Sequence, residues 1–265
     1  MPPRLVRRGV GGGTLPAMWD LWAIFAIAVV GGAIPLMVRW SDRGLHVALA
    51  LSTGLFLGAV FLHLLPSLSG TLSAHASEGG EHGEGELFPW LCVLLGALGV
   101  YLFEALFLRT HDHDDLHRHQ AVGVAAMVGL SVHALTAGVS YGLARQGSDA
   151  GHSLLVAVLA HKGFETFSLV NVFQLAGMKS RSIRLWMFAF ACVTPLGAWF
   201  GHWAAQGAGQ GTFAVLQAIA AGTFLFVCLG ELLPEVFHHR EDSFAKIGLM
   251  AIGVGLMWYL HGAGI

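Results

Sequence analysis

The sequence predicts an all-α, polytopic membrane protein with eight transmembrane helices, and three observations support this fold class. The chain of 265 residues is 55% hydrophobic and only 11% charged, whereas an ordinary soluble domain is about 25% charged. Polar loops separate eight apolar stretches, each close to the ~20 residues that cross a bilayer as a helix. Two of these stretches also repeat each other, as in membrane folds built from inverted repeats.

The positions of the polar loops define the predicted helices and their orientation. Basic loop residues favour the cytoplasm, and with the N-terminus outside, Arg145 is the one Lys or Arg of the inter-helix loops on the outer face. We therefore predict both termini outside, in a bacterial inner membrane. The eight predicted helices cover residues 18–40, 45–66, 88–108, 121–144, 153–177, 185–204, 213–236 and 244–263.

The chain divides into a short N-terminal extension and one membrane domain. Residues 1–17 are either a disordered extension or a mis-assigned start, because Met18 opens directly onto the first apolar stretch. Residues 18–265 form the eight-helix domain, with a histidine-rich cytoplasmic loop at 110–120. A net charge of -2 offers no basic surface for nucleic acid. The lipid bilayer is the expected partner, and the sequence leaves monomer and homodimer open.

Two apolar stretches align without gaps: "GLFLGAVFLHLLP" (54–66) and "GTFLFVCLGELLP" (222–234). They lie in helices two and seven, which the basic residues orient in opposite directions. We interpret this as an inverted repeat of three plus three helices around a central pair; chance similarity between Leu-rich segments is the alternative. The repeat predicts a transport pathway with one residue, His63, near the outer end and four near the inner end, namely Glu231, Glu235, His238 and His239.

The fifth predicted helix carries three ionisable residues in an apolar run, "LVAVLAHKGFETFSL" (155–169). Such groups cost at least a few kcal/mol each at the bilayer centre, so they indicate a functional site. His161 and Glu165 are four residues apart and share one helix face. His133 lies near the middle of helix four, at a similar depth. Two imidazoles and a carboxylate are a plausible binding site for a divalent transition metal.

Two of these residues, His133 and Glu165, also have a structural alternative. A buried histidine such as His133 often serves packing and hydrogen bonding within a helix bundle. Glu165 could form an internal ion pair with Lys162, three residues before it. Both alternatives lose weight if the three residues lie at one depth on adjacent helices.

Several motifs together resemble the ZIP (Zrt-, Irt-like protein) family of divalent metal transporters. They are "FLHLLPSL" in helix two, His133 followed by Gly138 in helix four, "HKGFETFSLV" in helix five and "GTFLFVCLGELLPE" in helix seven. The resemblance covers nearly everything from Met18 onward. It implies eight helices with both ends outside, and metal transport toward the cytosol by alternating access.

The sequence departs from the family pattern in helix four, where "HALTAG" (133–138) lacks the expected acid. Ala134 and Ala137 replace the polar and acidic ligands, and Lys162 stands where members with two metals have a further ligand. The resemblance therefore implies at most one metal, bound by His133, His161 and Glu165. On this interpretation the carboxylate has moved from helix four to helix five.

The expected function is transport of a metal that is cargo rather than a cofactor, so no cofactor and no enzymatic activity are expected. Zn²⁺ is the preferred cargo, with Fe²⁺, Mn²⁺ and Cd²⁺ as alternatives. Two other functions stay open: a metal sensor that does not transport, and an intramembrane zinc metallohydrolase. The sequence has no HExxH motif. Weak auxiliary metal binding, or simply a solvated linker, is expected of the cytoplasmic loop histidines His111, His113, His117 and His119.

Overall fold

A computed structural model describes residues 18–38, 40–66, 68, 84–107, 115–144, 148–204, 210–238 and 241–262. These residues form eight long helices, which confirms the predicted all-α fold class. We label them α1 (Met18–Met37), α2 (Asp42–Gly58), α3 (Glu84–Phe107), α4 (Asp115–Ala144), α5 (Ser148–Leu175), α6 (Ser180–Ala204), α7 (Gln210–Phe226) and α8 (Ser243–Gly262).

Helices α2 and α7 both continue into a π-helical segment. Ala59–Leu64 follows α2, and Val227–Leu232 follows α7 before a last turn at Leu233–Val236. The two segments occupy matching positions when the repeated stretches are aligned without gaps. A π-helical segment is rare and frequently marks a functional site, so its presence in both halves supports the inverted repeat.

Several helices begin earlier than the sequence predicts. Helix α4 starts at Asp115 rather than 121, and α5 starts at Ser148 rather than 153. The 30 residues of α4 extend for about 45 Å, longer than the ~30 Å hydrocarbon core, so polar turns continue the helix beyond the apolar stretch. The predicted loop at 110–120 is therefore helical from Asp115 onward. The predicted N-terminal extension, 1–17, lies outside the described residues.

Seven of the eight helices are long and apolar enough to cross a membrane, as judged within the described residues by length and composition alone. The exception is α5, which is 28 residues long and carries His161, Lys162 and Glu165 inside its apolar run. Its neighbours α1, α2 and α4 surround it. This helix is accordingly placed against protein, where ionisable side chains are tolerated in a membrane.

The helix contacts follow the symmetry of the repeat. Helix α1 packs on α5 as α4 packs on α6, and α2 packs on α8 as α3 packs on α7. Exchanging the first three helices with the last three, and α4 with α5, leaves these pairings unchanged. The contacts divide the bundle into two groups, α1/α4/α5/α6 and α2/α3/α7/α8, which meet mainly where α4 contacts α7 and α2 contacts α5.

Burial separates inner helices from peripheral ones. The apolar windows of the α2 and α7 spans are 67% and 56% buried, compared with 22% for α3 and 17% for α8. The peripheral helices instead expose large apolar side chains, such as Trp90 and Trp258. In a membrane protein these surfaces face lipid. The centre of the bundle is therefore formed by α2, α4, α5 and α7.

Small residues allow the close helix crossings of both halves. A Cβ added at Gly54 of α2 would clash with the backbone of Met250 in α8, and one added at Gly222 of α7 would clash with the backbone of Val93 in α3. These two glycines are equivalent positions of the repeat. Glycine at helix interfaces lets backbones approach closely in membranes. The same type of close glycine contact therefore joins α2 to α8 and α7 to α3.

A polar contact joins the ends of α2 and α8. Arg43, in the first turn of α2, makes a bidentate contact with the Asp242 carboxylate just before α8, and its Nη2 donates to Oδ1 at 2.8 Å. The hydrogen bond from Arg43 lowers the pKa of Asp242, so this carboxylate stays ionised. The contact holds together the ends of two helices that pack along their length.

Candidate metal centre

Helix α5 brings three ionisable side chains into the centre of the bundle. His161 and Glu165 lie one turn apart on the same face, and Lys162 approaches Glu165 from three residues before it. Glu165 and Lys162 are each 1% exposed, while the His161 side chain retains 12% exposure. The crossing of Gly163 with Gly31 of α1 leaves no room for a Cβ at Gly31, so α1 packs closely beside these residues.

The second histidine comes from α4 and is held by an aromatic ring of α7. The His133 imidazole stacks on Phe224, with ring centroids 4.3 Å apart and an interplanar angle of 14°. The side chain of His133 is only 2% exposed. Phe224 also contacts Phe56 of α2, at a centroid distance of 5.0 Å. The imidazole orientation is thus fixed by packing among three helices.

The two imidazoles converge on one carboxylate oxygen. His133 Nε2 lies 3.3 Å and His161 Nε2 3.4 Å from Glu165 Oε1. One ligand atom from each of the three residues lies within 4.8 Å of the others. Ligands at 2.0–2.2 Å from a tetrahedral zinc ion are separated by about 3.4 Å. The spacing and the donor set both suit a divalent transition metal.

The ion pair with Lys162 is present as well. Lys162 Nζ donates a hydrogen bond to Glu165 Oε2 at 2.8 Å, and the ammonium lies 4.0 Å from the centre of the Phe190 ring. The two oxygens of Glu165 therefore have different neighbours, the ammonium on one side and both imidazoles on the other. The ion pair of Glu165 with Lys162 and the approach of both imidazoles to Glu165 are therefore compatible with each other.

Four of the predicted pathway residues lie in or after the two π-helical segments. His63, half-buried in the first π-helical segment, lines a pocket together with Ala59, His161 and Phe224. Glu231 lies in the equivalent segment after α7 and is 4% exposed. Two further predicted residues follow it, the buried Glu235 and the half-buried His238. His239 lies outside the described residues.

The histidines expected to bind metal weakly are not placed by the structure. His111 and His113 lie outside the described residues. His117 and His119 belong to the first turns of α4, and their side chains lie outside what is described. The auxiliary metal binding of this segment stays a prediction.

One buried histidine was missed by the sequence reasoning. His46 of α2 is 2% exposed, and its Nε2 lies 3.5 Å from Oε1 of Glu235, which is 1% exposed. His46 is not part of a local sequence motif. The sequence indicates it only as a histidine within an apolar helix. The aromatic neighbours Phe224 and Phe190 were also missed, because their contacts join residues from different helices.

The fold and the cluster together define an integral membrane protein with a buried group of metal-ligand side chains at its centre. Residues 19–113 and 108–261 match the protein-family model described as ZIP Zinc transporter. These matches cover most of the chain. The chain belongs to the ZIP zinc transporter family.

Individual relatives agree with this assignment along most of their length. The chain is 27% identical to zinc transporter ZIP9-B of Xenopus laevis, with 85% of this chain and 88% of the relative aligned. It is 26% identical to zinc transporter ZIP2 of Homo sapiens, with 91% and 95% aligned. Similarity to zinc transporter ZIP2 of Mus musculus is 28% over 89% and 94%.

Proposed function

We propose that this protein transports divalent transition-metal cations, with Zn²⁺ as the main cargo, across a cell membrane toward the cytosol. The observation that carries the proposal is the buried convergence of His133, His161 and Glu165 Oε1 at the centre of the bundle. Fe²⁺, Mn²⁺ and Cd²⁺ are alternative cargoes with overlapping ligand preferences. Membership of a zinc transporter family and the names of the relatives support the same function.

The arrangement suits an ion that must bind and leave again. Structural zinc sites are closed by four protein ligands, whereas three residues converge here, and Lys162 holds the other oxygen of Glu165. A bound cation would therefore keep a coordination position for water. Incomplete coordination makes release feasible, and one carboxylate supplies the negative charge that a dication needs in a low-dielectric site.

The proposed route connects the cluster with both ends of the bundle. His63 and His161 line one pocket, and in the proposed route Glu231 and Glu235 lie on the opposite side of the cluster. We place His63 at the outer end, both termini outside, and the entry of metal on that side. Alternating access would move the central helices α4 and α5 relative to α2 and α7. The bacterial inner membrane stays a prediction, since the relatives reported above are vertebrate proteins.

Metal uptake into liposomes that contain only the purified protein tests the proposal. We expect Zn²⁺ flux that is lost in His161→Ala and in Glu165→Ala, because each removes a ligand from the cluster. His152→Ala is the matched control, since His152 lies on the same helix with an exposed side chain, and it should transport normally. Absence of flux in the wild type would favour the sensor or the metallohydrolase instead.

A second set of variants tests why helix five carries the carboxylate. Ala137 lies one turn after His133, on the same face of α4. If the site needs one acid on either helix, Ala137→Glu in the Glu165→Ala background should restore part of the flux. Only part should return, because Lys162 loses its partner on α5. Wild-type flux in Glu165→Ala alone would contradict the single-site mechanism.

A further inference from the structure

An apolar groove of about 290 Å³ runs between α1, α2 and α5. Helix α1 forms one wall and α2 the other, while α5 packs on both and forms the floor. The groove is open at the protein surface, since Val30 and Ile34 on its α1 wall are 60% and 47% exposed. Its larger lining side chains are Ile27, Val30, Ile34, Leu51, Phe164 and Phe167.

The groove lies at the depth of the bilayer hydrocarbon. Helix α1 is long and apolar enough to span a membrane, and only 28% of its apolar window is buried, so most of its surface faces lipid. The α1 wall extends from Ile27, in the middle of the helix, to Ile34 near its end, about 10 Å along the axis. The medium outside the groove is therefore acyl chains rather than water.

The chemistry of the lining favours a hydrocarbon occupant over water. Ser52 is the one polar residue among the described lining residues, and its hydroxyl donates to the carbonyl oxygen of Ala48 at 3.2 Å. A buried water molecule needs two to four polar partners, which this lining does not provide. An empty groove would lose the dispersion contacts of every side chain that faces it. An apolar group that fills the groove is therefore the most stable arrangement.

The size of the groove favours an acyl chain over a helix from a second copy of the protein. Two turns of α-helix with side chains occupy roughly 800 Å³, far more than the 290 Å³ measured here. An acyl chain is narrower and flexible, and it is already present at this depth. The half-buried rings of Phe164 and Phe167 on the floor offer it an apolar surface.

We propose that this groove binds one acyl chain of a membrane phospholipid and that the bound chain regulates transport. The regulatory part rests on the proposed function. Helices α1 and α5 belong to one of the two helix groups and α2 to the other, so movement of α5 relative to α2 changes the width of the groove. A flexible chain adapts or leaves as the walls move, whereas a rigid group fixed in the groove opposes the movement.

Photo-labelling with a phospholipid tests whether an acyl chain enters the groove. The purified protein is placed in liposomes that contain a phosphatidylcholine with a diazirine in the middle of one acyl chain, irradiated, and mapped by peptide mass spectrometry. We expect adducts on Phe164 and Phe167, which a chain reaches through the groove. Leu95 of α3, 64% exposed on the outer surface, should be labelled in every sample and is the internal reference.

A side chain that fills the groove tests the regulatory role. Val30→Trp places a rigid ring at the α1 wall, so it should reduce labelling of Phe164 and Phe167 but not of Leu95. It should also slow Zn²⁺ flux several-fold without changing the Zn²⁺ affinity of the central cluster. Ala23→Trp is the matched control, because Ala23 is exposed two turns earlier on α1 and does not line the groove. It should match the wild type in labelling and flux.

The outcomes separate this inference from the proposed function. Labelling of Leu95 without labelling of α5, or α5 labelling that Val30→Trp leaves unchanged, would overturn the acyl-chain site. Wild-type flux in a Val30→Trp protein that has lost the α5 adducts would overturn its regulatory role. The labelling requires no transport, so its result stands even if the wild type shows no flux and the proposed function fails. If Val30→Trp does not fold, Ile34→Trp, one turn further along the same wall, replaces it.

Discussion

Glu165 serves two partners through its two oxygens. Oε2 accepts a hydrogen bond from Lys162 at 2.8 Å, while Oε1 lies 3.3 and 3.4 Å from the imidazoles of His133 and His161. A buried carboxylate without a nearby cation would be strongly unfavourable. Lys162 therefore compensates the charge when no metal is present, and its charge opposes the dication when one arrives. We therefore expect Lys162 to stabilise the site without metal and to weaken metal binding at the proposed site.

Removal of the Lys162 charge should tighten metal binding. In Lys162→Met we expect a Zn²⁺ affinity at least about tenfold higher, which a lost repulsion of about 1.4 kcal/mol is enough to produce. Without metal the variant should melt at a lower temperature, since Glu165 has lost its cation. Zn²⁺ should then raise its melting temperature more than that of the wild type. Binding titrations and thermal melts measure both effects, and Lys162→Arg is the charge-preserving control. An unchanged affinity in Lys162→Met would show that the ammonium does not oppose the metal.

At the scale of helices, the two halves of the chain use the same construction. Each half has an inner helix that ends in a π-helical segment and crosses a peripheral helix at glycines, Gly54 on one side and Gly222 on the other. The π-helical segments place His63 and Glu231 beside the central helices. We therefore expect the close crossings to hold these two side chains at their depth.

Two glycines of α8 test the importance of these crossings. A Cβ at Gly253 would lie 2.5 Å from the carbonyl oxygen of Leu51 in α2, whereas a Cβ at Gly255 would meet nothing within 4 Å. Gly253→Ala should lower the melting temperature by several degrees, because overpacking costs about 1–3 kcal/mol. Gly255→Ala should leave it unchanged or slightly higher, since Ala favours helix more than Gly. Equal thermal stability of the two variants would contradict the close contact of α2 with α8.

At the scale of the whole molecule, function depends on orientation. In the proposed pathway His63 lies toward one side of the membrane, and Glu231 and Glu235 lie toward the other. The distribution of Lys and Arg among the loops predicts which side is the cytoplasm. The direction of transport proposed above follows from this distribution.

Cysteine labelling in intact cells should determine the orientation. In a background without native cysteines, His75→Cys should react with an impermeant maleimide from outside, because the distribution of Lys and Arg predicts that the stretch before α3 is outside. Arg181→Cys, at the exposed start of α6, should react only after the membrane is permeabilised. The reverse pattern would invert the topology and with it the proposed direction of metal movement.

The sequence by itself determined the number of helices, their approximate bounds and the repeat, since these depend on local hydrophobicity and on matching segments. It also indicated His133, His161 and Glu165 as candidate ligands, because ionisable groups in apolar helices are costly and need a reason. Helix ends were less well predicted, as α4 and α5 show, because a helix can continue beyond the bilayer as long as its polar turns reach water.

Only the tertiary structure determined which side chains from different helices contact one another. The division of Glu165 between Lys162 and two imidazoles, the stacking of His133 on Phe224 and the meeting of His46 with Glu235 depend on how helices cross and rotate. Residues far apart in the sequence come together at these crossings, and local periodicity carries no information about the angle or depth at which two helices meet. The helices could therefore be predicted from the sequence, whereas the contacts between them could not.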